Sequence, residues 1–291
     1  LKKYIGYLIV GLVLIFTFMW WKQLYIQRDI AVIKYFPLNQ KAAFIKTTSS
    51  LVMPKQEKDT EQYDVALSTE SILNQTSYLR QDFSLLFQNG RLKEFTKKWE
   101  QNTDRISQKT TVKAHESSLF QVVTIHYAEI HTENDKITSS FKLTDSNLFV
   151  IASRYGPTKS FHSPETEEQK EWAFTLSSVS NSRLTKVLNR YTDNKKIDIT
   201  RYHVVPLTQF STEEKRLLAG YSEQKRLEIT EKLWEAFYSI YVSGIKKQDG
   251  TVINPIDSTI PLILRKQDSN KLIILIQDKS GNIHEYYQQL P

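Results

Sequence analysis

The chain has 291 residues and no cysteine, and its 39 lysines and arginines against 32 acidic residues give a formal charge of +7. Lack of cysteine excludes a lipid-modified cysteine anchor and thiolate metal ligands, and it suits an oxidising, extracytoplasmic setting. The positive excess is diluted by alternating charges, as in Lys97-Lys98-Trp99-Glu100 and Glu213-Glu214-Lys215-Arg216, a pattern of solvated surface that argues against a nucleic-acid partner.

The first element is the uncharged run from Tyr4 to Trp21, set between Lys2-Lys3 and Lys22. Wound as a helix, it reaches about 27 Å, close to the hydrocarbon thickness of a bilayer. Tyr4 and Tyr7 at one end and Trp20 and Trp21 at the other fall where aromatic rings favour the headgroup boundary, and they are the expected membrane-interface anchors. No small-residue cleavage pattern follows, so residues 1–36 read as an uncleaved, single-pass anchor with its juxtamembrane extension. A buried helix of a globular domain would carry a polar stripe, and this run is apolar all round.

Pro37 stops that helix, and Pro54 with the polar run Lys55 to Gln62 marks residues 37–63 as a linker or stalk. Residues 64–158 read as a first α+β module. Ile72, Leu73, Leu79, Phe83, Leu86 and Phe87 follow helical spacing after Ser68-Thr69-Glu70, and Asn89-Gly90 closes the helix. Leu92, Phe95, Trp99 and Ile106 give a second helix. Leu119 to Ile130, Ile137 to Leu143 and Leu148 to Ala152 then predict a meander of three strands, with turns at Glu133-Asn134-Asp135 and at Thr144 to Asn147.

Residues 159–291 read as a second module of the same order. Ser163-Pro164-Glu165 opens a helix whose inner face carries Trp172 and Leu176. A second amphipathic piece holds Leu184, Val187, Leu188 and Tyr191, and Ile197 to Val205 reads as a strand. Ser211-Thr212-Glu213-Glu214 is a candidate capping box, and Ser222 to Gly244 predicts a long helix with Trp234, Phe237 and Tyr241 on one buried stripe. Ile260 to Leu264, Leu272 to Ile276 and Ile283 to Leu290 predict a closing meander, with one ring of Tyr286-Tyr287 exposed on an edge strand. The fold class expected is therefore α+β: one transmembrane helix, then two helix-plus-antiparallel-meander modules. That layout is similar to cystatin-like and nuclear-transport-factor-2-like cones, though no motif carries the likeness.

Motifs for chemistry are wanting. His126 and His131 fall on opposite faces of their strand, and Glu129, His131 and Glu133 share a face that reads more simply as exposed polar surface than as a metal site. His115, His162, His203 and His284 are isolated. Ser-x-x-Lys occurs at Ser139, Ser222 and Ser243 without the companion signatures of penicillin-recognising enzymes. The glycines sit singly at turns, so no phosphate cradle is expected. Glu165, Glu167, Glu168 and Glu171 line one helix start, where they serve its dipole. No catalytic residue, metal ligand or cofactor is assigned.

The expected function is a non-enzymatic binding or assembly subunit of a cell-envelope machine. It would be held to the lipid bilayer by its N-terminal helix and would dock other envelope or membrane proteins outside the cytoplasm. A ligand-sensing ectodomain and an unrecognised envelope hydrolase are the alternatives.

Overall fold

The computed structural model describes residues 36–54, 62–132, 136–153, 156–247, 249–267 and 269–291, all within the compact unit Tyr35–Pro291. In chain order the strands β1 (Phe44–Val52), β2 (Tyr63–Gln88), β3 (Arg91–Ala114), β4 (Ser118–His131), β5 (Ile137–Ile151) and β6 (Lys159–Phe161) come first. Helix α1 (Glu167–Lys195) follows, then β7 (Tyr202–Pro206), α2 (Phe210–Leu217) and α3 (Glu223–Ser243). The short pair β8 (Ile245–Lys246) and β9 (Val252–Ile253) leads to β10 (Leu262–Lys266), β11 (Lys271–Gln277) and β12 (Ile283–Gln289).

The first sheet is organised by β2. Along one side it pairs with β3 from Tyr63↔Ala114 to Gln88↔Arg91. Along the other it pairs first with β1, over Ala66–Leu73, and then with β4, over Leu79–Gln88. A register shift between Ile72 and Ser77 separates the two halves, and such an irregularity bends a strand and increases its twist. The sheet curls into a half-barrel. Its interior holds Leu51 of β1, Val65 and Leu67 of the first half of β2, and Leu86, Phe120, Val122, Leu148 and Val150 opposite them. β5 and β6 continue the order beyond β4.

The second half of β2 is covered on both faces. Leu86 looks into the half-barrel, while Phe83 on the other face meets Tyr238, Trp234 and Tyr241 of α3 at ring separations of 5.3, 6.5 and 6.5 Å. The second sheet is antiparallel in the order β12-β11-β10-β7. Helix α1 touches both sheets. Leu176 joins Leu119, Phe149, Ile151 and Phe161 of the first, and Lys195 pairs with Glu285 of β12 at 3.0 Å.

Several expectations are corrected here. The chain is mainly antiparallel β, with 50% strand and 26% helix, rather than two helix-plus-meander α+β modules. Both helices expected between residues 68 and 106 are strands, β2 and β3. The physical cause is the double coverage of β2, which places apolar residues in succession at 85, 86 and 87 and imitates helical spacing. Asn89-Gly90 is a hairpin turn, not a helix end. Both residues have positive φ, 50° and 79°, as a type I′ turn requires. Thr144 to Asn147, expected as a turn, lies inside β5, and β1 occupies part of the expected linker. The later helices agree better: Ser222 caps α3 and Gly244 ends it, whereas α1 is one helix of 29 residues capped by Thr166 with Gln169, not by Ser163.

The membrane reading is also corrected. Among the described residues no helix is long and apolar enough to cross a membrane, and the longest, α1, carries charge along its length, from Glu167 and Glu168 to Arg183, Lys186, Arg190 and Lys195. The run Tyr4 to Trp21, with Tyr4, Tyr7, Trp20 and Trp21, lies outside the described residues. The single-pass anchor and the cell-membrane localisation therefore have no support among the described residues and are set aside.

The turn at Gly90 approaches the helix closely at Ser180. A Cβ there would lie 2.8 Å from Ser180 Oγ and 3.3 Å from Ser180 Cα. Gly90→Ala is expected to cost about 1–3 kcal/mol through positive φ and crowding together, read as a lower midpoint in urea unfolding with unchanged slope.

Candidate anion-binding groove

Along α1, residues three and four apart stack on one face. Thr175, Val179, Ser182, Arg183, Lys186 and Arg190 follow that spacing, and with Ser178 they form one wall of an open groove of about 730 Å³. Arg91, at the start of β3, and Gln277, at the end of β11, complete it.

Backbone bonds fix these walls. Leu92 N donates to Ser258 O at 2.8 Å and Asp257 N to Leu92 O at 2.9 Å, while Thr259 N donates to Gln277 O at 2.9 Å. The segment Asp257–Ile260 thus ties the start of β3 to the end of β11. Arg91 Nη1 donates to the Asp257 carbonyl. Arg190 Nη1 and Gln277 Nε2 both donate to the Gly281 carbonyl, at 2.9 and 3.2 Å.

The electrostatics are one-sided. Four cations line the groove, no carboxylate does, and none of the four forms an ion pair among the described residues. Burial holds the Arg183 guanidinium below the usual arginine range, and Arg91 lowers it further, with Glu116 opposing. Two guanidiniums that disfavour each other, in a groove that also carries hydroxyls, can donate charge-assisted hydrogen bonds to carboxylate or phosphate oxygens.

A second polar cluster lies inside the half-barrel. Asp82 Oδ2 meets His126 Nδ1 at 2.8 Å, His126 Nε2 meets Thr144 Oγ1 at 2.8 Å, and Thr144 Oγ1 meets Ser49 Oγ at 2.6 Å. Ser49 donates on to Thr124 at 2.7 Å and Thr124 to Ser84 at 2.9 Å. Buried Arg80 donates to Ser71 at 2.6 Å, and Ser71 to Asp82 at 2.9 Å. An Asp-His-hydroxyl order is the logic of a nucleophile triad, but here the Thr144 hydroxyl is bonded to Ser49 of β1 and the chain of hydroxyls runs on to β4 and β2. The arrangement ties four strands together. Removing the ring with His126→Ala leaves buried Asp82 with Ser71 but without its histidine partner and is expected to cost about 2–4 kcal/mol in chemical denaturation.

Glu231 of α3 is another buried ionisable group. Ser139 Oγ lies within bonding distance of both the Phe36 carbonyl, at 2.7 Å, and Glu231 Oε1. A hydroxyl has one proton and a carbonyl none, so a protonated Glu231 satisfies both contacts while a carboxylate leaves one without a proton. Burial pushes this carboxyl up to about 8, with repulsion from Glu235 and Glu228 adding to it and the Ser139 bond opposing. In the unfolded chain the ordinary value is 4.5. Between those values the folded state keeps a proton that the unfolded state has lost, so this group's contribution is complete below 4.5 and declines as pH rises to about 8. The expected slope is about 1.4 kcal/mol per pH unit. Glu231→Gln, whose amide can donate to Ser139 at any pH, is expected to abolish it in urea titrations across that window.

The residues singled out from sequence are scattered. His126 is buried and His131 bonds Glu129 on the outside at 2.5 Å. Glu133 lies outside the described residues, and among these no group of three or more acidic or histidine side chains is placed to hold a metal. His284 pairs with Asp278 at 2.8 Å and His203 with Glu213 at 3.6 Å. Glu167 pairs with Lys170 and Glu168 with Lys159 on the surface. Trp234, Phe237 and Tyr241 are core, and Tyr287 is 54% exposed on the edge strand β12, as expected. Sequence reasoning missed the groove cations. The spacing of Arg183, Lys186 and Arg190 on one helix was a legible signal, whereas Arg91 reaches them only through the hairpin.

Comparison with known proteins adds no family or relative, since no family model, no curated protein and no solved structure matches this chain.

Proposed function

We propose that this protein is a non-enzymatic binding module that takes an anionic partner in the groove between α1, the β2–β3 hairpin and the end of β11. The observation that carries the reading is the set of four groove cations, Arg91, Arg183, Lys186 and Arg190, without a carboxylate among the lining residues. Some cations elsewhere on the surface are paired, as in Lys46–Glu70, Lys98–Glu100 and Arg226–Glu214, whereas among the described residues none of the four in the groove is. Unmatched cations held on a rigid wall favour an acidic ligand and speed its approach. This keeps the expected binding role and drops the envelope-membrane setting, which rested on the anchor. The ligand-sensing alternative uses the same groove, whose volume of about 730 Å³ falls within the range of small-molecule sites.

The test is salt elution of the full chain from phosphocellulose. Arg183→Glu with Lys186→Glu is compared with Lys97→Glu and Lys109→Glu, an equal change of charge at exposed positions of β3. The groove variant is expected to elute at clearly lower salt than the β3 variant. Equal elution of the two would mean that net charge alone holds the protein and would overturn the reading.

A further inference from the structure

Resting on the reading that the groove binds an anionic partner, we infer that its occupant is an extended acidic peptide segment with a large apolar side chain beside its carboxylates. Three features of α1 lead there. First, the cations form a row instead of a ring. Arg183, Lys186 and Arg190 rise along the helix by steps of about 4.5 and 6 Å, a row long enough to offer partners to more than one anionic group. Alternate residues of an extended chain project to one side about 6.6 Å apart, close to the longer of the two steps, so an extended chain carrying more than one carboxylate can follow the row.

Second, the row continues into apolar surface. Val179 lines the groove one turn before Arg183 and is 43% exposed, and Phe174, just before the lining residue Thr175, is 76% exposed. A uniformly charged polymer gains nothing from that end, whereas a leucine- or phenylalanine-sized side chain would cover it. Third, the hydroxyls of Thr175 and Ser182 stand among the lining residues, and neutral donors of this kind suit peptide carbonyls between the charged positions. Charge complementarity therefore sets the acidic character, and the apolar end favours a peptide over a phosphate polymer.

The experiment is fluorescence anisotropy with the full chain and four probes: a synthetic peptide with a leucine followed by glutamates at alternate positions, the same peptide with serine for leucine, a thymidine oligonucleotide and inorganic polyphosphate. The leucine peptide is expected to bind about tenfold more tightly than the serine peptide, and Phe174→Ala is expected to remove that advantage. Arg183→Glu is expected to weaken both peptides. Thermal melts of each variant confirm folding, since Phe174 is exposed and Arg183 only half-buried. If the oligonucleotide or polyphosphate binds as tightly as the leucine peptide, or if Phe174→Ala changes nothing, the peptide inference is overturned while the groove still stands. If Arg183→Glu leaves every probe unaffected, the groove reading itself fails.

Discussion

The arrangement of this molecule turns on the close approach of Gly90 to Ser180, where the tip of the β2–β3 hairpin meets the middle of α1. Glycine is favoured there, because φ is 79° and a Cβ would stand 2.8 Å from the serine oxygen and 3.3 Å from its Cα. The turn is held from the other side by β4: Asn89 N donates to Leu119 O at 2.9 Å, and Leu119 N donates to Asn89 Oδ1 at 2.9 Å. A third strand of contact comes from Ile260, whose N–H donates to Gly90 O at 3.1 Å. Hairpin, helix and second sheet are thus referenced to a single two-residue turn. The groove is a direct consequence, since Arg91 follows that turn in sequence and Arg183 follows Ser180 by less than one helical turn.

The half-barrel depends on a different kind of interaction. Curling β2 so that its first half faces β4 and β5 brings polar residues of four strands into one interior. The cost of burying them is met by mutual satisfaction: Arg80 reaches Ser71 and carbonyls of Tyr127 and Asp104, and its guanidinium sits 4.8 Å from the Phe44 ring centre. Asp82 is answered by Ser71 and His126. Such a network adds little net stability over an apolar core of the same shape. Its directional bonds do constrain register, however, because a one-residue slip of β1 or β5 would turn Ser49 or Thr144 to the opposite face.

Legibility followed coverage. Strand β12 and helix α3 lie where the sequence places them, α3 because its cap Ser222 and terminal Gly244 are local signals. β2 was misread because coverage from both sides erases alternation, and because Asn-Gly serves both as a helix terminator and as a hairpin turn. That single ambiguity carried the error into β3, whose partner was then missing. The buried pair of Asp82 and His126 was invisible for the same reason: with Asp82 assigned to a helix, nothing in the sequence placed it across a ladder from His126, although they are register partners in the β2–β4 pairing. The helix half of the groove was legible from spacing, but the hairpin half was not.

The charge pattern of the groove bears on why such a site persists. Arg91 and Arg183 repel, and burial already disfavours the Arg183 charge. Stability alone would favour an acidic residue on either wall, and positions such as Thr175 or Ser182 could hold one without disturbing the helix. Instead the wall carries hydroxyls and an apolar end. The folded protein therefore retains an unfavourable like-charge contact between Arg91 and Arg183. Local cost of this kind, confined to a concave surface, is the expected mark of binding, because an anionic partner removes the repulsion that the free protein bears, so that relief adds to the affinity.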